Sequence, residues 1–334
     1  MGTALALLLI GALGILQRDW FRSATQSSQP ARPEPASDAS GPLTPLPASL
    51  LLDTRKVALG DRLFHEARLG ADGMVSCSHC HNLSSGGVDR LVRASGIGGQ
   101  QGSINTPTVF NSGLSFRQFW DGRAETLETQ VDGPLQNPIE MGSTWPKAIA
   151  MLKSDVRYVA EFAAIYPDGI QPANVRDAIA TFERSLSTPN SRFDRFLQGN
   201  LTALNGQEQA GYRLFKQIGC TSCHQGAAIG GNMYQKLGIM EDYFGLSGKP
   251  ATSDLGRYNV TKRDEDRHFF KMPSLRNVAV TPPYLHNGSA ATLEDAVRVM
   301  ARYQLGRHLD DPEIASIVAF LRTLTGEYQS KALQ

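Results

Sequence analysis

Apolar residues recur at helical spacing over much of the chain. Val175, Ile179, Phe182 and Leu186 fall three or four residues apart, as do Ile314, Ile317, Val318 and Leu321. The second set follows Asp311-Pro312, a start signal because proline fits the first helical turn. Asn205 and Glu208 have capping-box spacing and predict another helix N-terminus. Alternating strand patterns are scarce, and Gly- and Pro-rich loops separate the helical segments. The pattern predicts a mostly α fold with long loops. It also repeats loosely. Gly60-Asp61-Arg62-Leu63-Phe64 and Gly211-Tyr212-Arg213-Leu214-Phe215 each read as a short helix leading into a loop. Two related domains are expected, 50–200 and 201–334, dividing near Gln198 to Thr202.

The first residues read differently. Ala4 to Leu16 is an apolar run, shorter than the ~20 residues that span a bilayer comfortably. Its length suits the h-region of a signal peptide. No Lys or Arg precedes it and no clear A-x-A site follows, so residues 1–22 read as a signal peptide or as an uncleaved inner-membrane anchor. A buried helix is the bland alternative. Residues 23–49 are rich in Pro, Ser, Ala and Gln without helical or strand period, which predicts a disordered tether. The 334 residues carry 33 basic and 32 acidic side chains, a formal net charge of +1. Nothing there predicts a nucleic-acid partner, which calls for a basic face.

The four cysteines fall in two C-x-x-C-H motifs, Cys77-Ser78-His79-Cys80-His81 and Cys220-Thr221-Ser222-Cys223-His224. This is the attachment signature of c-type haem. Two thiols add to the two vinyl groups of one porphyrin, and the adjacent histidine binds the iron. A zinc half-site or a redox dithiol competes for one copy. Two copies with no spare cysteine, each with a trailing histidine that a dithiol does not need, favour two covalently bound haems c. Because haem c is joined outside the bacterial cytoplasm, the motifs imply an exported, periplasmic protein. The expected architecture is then two cytochrome c-like domains, each holding one covalently attached haem.

Three further stretches narrow the reading. They are Asn105-Thr106-Pro107-Thr108-Val109-Phe110-Asn111; Phe119-Trp120-Asp121-Gly122-Arg123-Ala124 with Gln130 and Asn137-Pro138-Ile139-Glu140-Met141-Gly142; and Pro273-Ser274-Leu275-Arg276-Asn277-Val278 with Thr281-Pro282-Pro283-Tyr284-Leu285-His286-Asn287-Gly288. With both haem motifs, the chain from about Leu52 to Gly326 resembles the bacterial di-haem cytochrome c peroxidases, a group that includes the MauG-type enzymes.

The resemblance implies roles. His81 would be the proximal ligand of a peroxidatic haem. His224 and Met300 would ligate a high-potential electron-transfer haem, a thioether favouring ferrous iron. Spacing alone would make Met300 a core methionine, and MauG-type members carry tyrosine there. Glu140 and Gln130 match the distal acid–base pair, and Trp120 a tryptophan between the haems. Asn105, Thr281 and Pro283 match positions that hold one calcium ion through hard oxygen atoms. The implied activity is reduction of hydrogen peroxide to water with electrons from a small donor, a c-type cytochrome or cupredoxin. Homodimers are common in the family. Two alternatives remain: a MauG-like peroxide-dependent oxidase of a protein or organic substrate, and a non-enzymatic di-haem electron carrier.

One departure matters. Most of these peroxidases carry a distal histidine that caps the peroxidatic iron until the other haem is reduced. Here the loop reads Ala94-Ser95-Gly96-Ile97-Gly98-Gly99-Gln100-Gln101-Gly102, and Ile97 stands at that position. Isoleucine cannot bind iron, so an enzyme without reductive gating is expected; the alternative is that another side chain, such as Met141 or His286, takes the vacant position.

Overall fold

Caps and apolar stripes decide where the helices lie. The computed structural model describes residues 41–48, 50–245 and 250–334, so the apolar run 4–16 and most of the expected tether lie outside the described residues. The longest helices are α1 (Thr54–Phe64), α2 (Trp145–Ser154), α3 (Val156–Ile165), α4 (Pro172–Ser185), α5 (Gly206–Gln217), α6 (Leu293–Val299) and α7 (Asp311–Arg322). Asp53 caps α1 by accepting from Arg55 N. Asn205 and Glu208 form the expected reciprocal box at α5, with bonds of 2.9 and 2.8 Å. At α7 the cap is Asp310, one residue before the expected start, in a box with Glu313; Pro312 sits in the first turn. Among the described residues no helix is long and apolar enough to cross a membrane.

The apolar stripes close two separate cores. One gathers Leu59 and Leu63 of α1, Leu152 of α2, Phe162 of α3 and Ile179 of α4. The other gathers Phe193, Tyr212 and Phe215 of the α5 region with Val297, Ile317 and Phe320 of α6 and α7. Helix α1 packs on α4, and α5 on α7. The repeated motif explains both crossings. A Cβ on Gly60 would fall on the carbonyl oxygen of Ala178 and on Phe182 Cβ. A Cβ on Gly211 would meet Ser316 O and Phe320 Cβ in the same way. Glycine is therefore needed for close helix approach, while Phe64 and Phe215 fill the space beside it. Gly60→Ala and Gly211→Ala are each expected to lower stability by about 1–3 kcal/mol, the usual range for overpacking, in denaturant titrations of the holoprotein.

The tether reading fails at its end. Leu43 and Leu46 are buried. Pro42 O accepts from Gly226 N at 2.7 Å, and Leu46 N donates to Asp194 at 3.1 Å. The proline- and serine-rich composition of 23–49 hides two leucines that become buried, Leu43 as a member of the second core. The strands among the described residues are short. Strand β1 (Tyr234–Lys236) pairs antiparallel with β2 (Phe269–Lys271), Tyr234 opposite Lys271, and a second ribbon joins Glu327–Tyr328 to Lys331–Ala332.

Candidate active site

Each C-x-x-C-H motif forms one helical turn. Cys77–Cys80 is a four-residue helix that ends as His81 N donates to Cys77 O at 3.0 Å. Cys220–Ser222 is a 3₁₀ turn, and His224 N donates to Cys220 O at 2.9 Å. One turn of helix brings residues three apart to the same side, as a single porphyrin edge requires.

The histidines are set up as iron ligands. His81 Nδ1 lies 3.2 Å from Gly87 O, and His224 Nδ1 lies 3.3 Å from Ile229 O. A carbonyl accepts only from a protonated Nδ1, which leaves Nε2 with its lone pair. Burial depresses both imidazoles, His224 to about 4, and so keeps them neutral. Burial also pushes the thiols of Cys77, Cys80 and Cys220 up to about 12. Zinc or redox chemistry needs thiolates, which such surroundings disfavour. A thioether carries no charge and suits them. Among the described residues no group of three or more His, Cys, Asp or Glu converges as a metal cage. The donor set thus fits haem c better than the alternatives.

The first motif opens into a cavity whose wall includes Cys77, Cys80, His81, Gln130, Glu140 and Trp120. Gln130 ends a short helix, Leu127–Gln130, capped by Thr126. Glu140 sits in a turn in which Asn137 Nδ2 donates to Oε1 at 2.6 Å. Burial raises the Glu140 carboxyl above the usual range, against the pull of Arg123 and of the Asn137 hydrogen bond. Arg123 lines the same cavity. Neither Asn137 nor Arg123 was singled out from the sequence for this role.

Trp120 links this cavity to the other half of the site. Its Nε1 donates to Asn105 O at 3.0 Å, and its carbonyl accepts from Lys271 N of β2 at 2.7 Å. Its ring packs on the Leu237–Phe244–Phe270 cluster, which Met300 also touches. Met300 opens a π-helical turn, Met300–Gln304, directly after α6. Such turns recur at functional sites. Gln304 pins this one by accepting from Gly238 N at 2.6 Å and donating to Lys236 O at 2.9 Å. Met300 is half-buried. Met300 packs on the Leu237–Phe244–Phe270 cluster, whereas the His224 ring lies 6.3 Å from Phe215 of the second core.

Ile97 does not line the cavity. Its side chain rests near Gly142, and its N–H donates to Glu140 O at 2.8 Å. The loop around it is closed by Gly96 N to Gln100 O and Gly102 N to Ala94 O, both 2.8 Å. Of the three calcium candidates, Asn105 is buried and its N–H donates to His286 O at 2.8 Å, which stitches it to the loop carrying Thr281 and Pro283. Asn105 Nδ2 donates to Leu91 O, so Oδ1 is the atom left for other partners. His286, without a role in the sequence, is buried with Nε2 2.7 Å from Asp254 Oδ1 and its ring 6.4 Å from Trp120. Asp254 belongs to no motif, and nothing in the sequence marks it.

Two helical cores, each feeding a C-x-x-C-H turn with a carbonyl-held histidine, define a two-centre cytochrome c-like protein. The chain belongs to the di-haem cytochrome c peroxidases, a family of oxidoreductases. The profile of the family described as "Di-haem cytochrome c peroxidase" matches residues 54–202. The chain is 45% identical to cytochrome c551 peroxidase of Nitrosomonas europaea, covering 86% of this chain and 85% of that protein. It is 47% identical to cytochrome c peroxidase Ccp of Escherichia coli over 86% of this chain, and spans 62% of that relative's length. Among solved structures, a MauG-like protein associated with microbial copper homeostasis superposes with a TM-score of 0.74 at 29% identity, covering 86% of this chain and 93% of that one.

Proposed function

We propose that the chain reduces hydrogen peroxide to two waters, consuming two electrons and two protons. The observation that carries this reading is one cavity lined both by the Cys77–Cys80–His81 attachment turn and by Gln130 and Glu140. Haem held by Cys77, Cys80 and His81 would supply redox-active iron for cleavage of the O–O bond. Glu140 then takes a proton from the near peroxide oxygen and delivers it to the departing one. Its raised pKa suits a group that must both hold and release a proton. Gln130, whose amide makes no hydrogen bond with another described residue, is free to orient the peroxide. Covalent haem at Cys220 and Cys223, ligated by His224 and Met300, would take electrons from a small c-type cytochrome or cupredoxin. Trp120 supports a route inward, because it touches both the first cavity and the Met300 cluster. Methionine at 300 favours this reading over a MauG-like oxidase.

The test is a Soret and visible scan of the oxidised holoprotein on adding stoichiometric peroxide without reductant. A rapid spectral change supports an open peroxidatic centre. Absence of reaction in both the oxidised and the half-reduced protein leaves an electron carrier.

Two finer proposals accompany this one. The first is activity without reductive gating, supported by Ile97 at the capping position and by its side chain resting near Gly142 outside the cavity wall. The fully oxidised protein is expected to give a high-spin EPR signal, and a purely low-spin spectrum would defeat the proposal. The second is one calcium ion held by Asn105, Thr281 and Pro283 oxygens. Elemental analysis is expected to find one calcium per chain, removable by chelator with loss of turnover; a calcium-free protein of full activity would exclude it.

A further inference from the structure

Helix α4 presents three side chains to the cavity beside Cys77: Val175, Ile179 and Glu183, spaced by four residues and spanning about 12 Å at 1.5 Å per residue. Two are apolar and suit a macrocycle face. The third is a carboxyl only 5% exposed. Its Oε2 has no hydrogen-bond partner among the described residues, and neither has Ser112 Oγ, which lines the same cavity. Ser112 comes from a different segment. That segment is fixed to the end of α4 by Asn111 N donating to Leu186 O at 2.9 Å, and Gln118 Nε2 holds Ser112 O at 3.0 Å.

Two other polar groups in this wall are already used. Thr106 Oγ1 donates to Asp89 and Thr108 Oγ1 to Gly86 O. An orphaned buried polar atom costs about 1–3 kcal/mol, so two on the wall of one cavity mark the place of a polar ligand atom. The charged groups around Glu183 are few. Arg184 favours its ionised form, Glu128 opposes it, and Arg184 and Glu128 pair with each other at 2.7 Å. Burial dominates and pushes the Glu183 carboxyl up to about 8, so at neutral pH it holds its proton and can donate.

We propose that Ser112 and Glu183 form the receptor for one propionate of the haem attached at Cys77 and Cys80, each donating an O–H to the carboxylate. The inference rests on the reading of that motif as a haem site. Glu183 and Glu140 line one cavity from different elements, Glu183 on α4 beside Val175 and Ile179, Glu140 in the turn held by Asn137. One serves peroxide and the other holds the macrocycle in register.

The experiment compares the wild-type holoprotein with Glu183→Gln, Glu183→Leu and the milder Ser112→Ala. The readouts are the propionate bending bands in resonance Raman spectra and the midpoint potential of each haem. Glu183→Leu and Ser112→Ala are expected to shift one propionate band and to lower the potential of the first haem, because a less well hydrogen-bonded propionate stabilises ferric iron. The second haem, unchanged, is the internal control. Glu183→Gln keeps a donor and is expected to shift the band less than Leu. If Glu183→Leu and Ser112→Ala both leave the band and the potential unmoved while mass spectrometry shows haem on Cys77 and Cys80, the proposal is overturned and the two atoms meet solvent only. Wild-type protein lacking haem at those cysteines would instead overturn the attachment reading itself.

Discussion

Glu140→Gln is expected to cut turnover with hydrogen peroxide by about 10²- to 10⁴-fold, the usual worth of a positioned acid–base group, while both haem spectra stay intact. The substitution keeps the shape and an acceptor for Asn137 Nδ2, which now holds Oε1 at 2.6 Å. Only the capacity to take up and return a proton is lost. The pH profile should carry the same signature. Burial raises the Glu140 carboxyl, so its base form disappears as pH falls through a value above the ordinary ~4.3. The wild-type rate is expected to fall on that acid limb, and the limb should be missing from the residual rate of Glu140→Gln. Arg123 pulls the same carboxyl down. Arg123→Gln is therefore expected to move the limb to higher pH, a shift that a merely structural role for Arg123 would not produce. Steady-state rates across pH decide the matter, and unchanged turnover in Glu140→Gln would remove Glu140 from the mechanism.

Arg276→Met is expected to have the largest effect on stability. The guanidinium of Arg276 and the carboxylate of Asp194 are both withdrawn from solvent, with side-chain exposures of 0% and 1% and a separation of 2.7 Å. Arg276 also donates to Ala227 O at 2.8 Å and to Thr44 O at 2.9 Å. One side chain thus ties together the helix at 192–197, the loop after the second haem motif and the chain at 42–46. Removing one member of a buried pair leaves an uncompensated charge, at a cost of about 3–5 kcal/mol. Asp194 keeps donors from Ser191 and Leu46, which places the expected loss near the lower end. Denaturant unfolding of the holoprotein measures it. Arg276→Met combined with Asp194→Asn should recover part of the loss, because no buried charge then remains unpaired. A single-variant loss under about 1 kcal/mol would mean that solvent reaches the pair.

The sequence by itself determined what local chemistry encodes. Helical spacing placed α4 and α7, and the Asn205–Glu208 box placed the start of α5, because a period and a cap each involve residues within one or two turns. The C-x-x-C-H motifs were legible for the same reason: the attachment chemistry needs its residues adjacent. Gln130, Glu140 and Met300 carried no such local mark and were read through resemblance. Only the tertiary structure decided what depends on segments distant in sequence. It showed that the repeated glycines let helices touch, and that the chain at Leu43 and Leu46 is buried, Leu43 in the second core. It paired Arg276 with Asp194 across 82 residues and His286 with Asp254 across 32. It also set Ser112 and Glu183 against one cavity. A serine in a turn and a glutamate in a helix look like solvent-facing residues in a sequence. Burial, which makes their unpaired atoms informative, is a property of the folded chain alone.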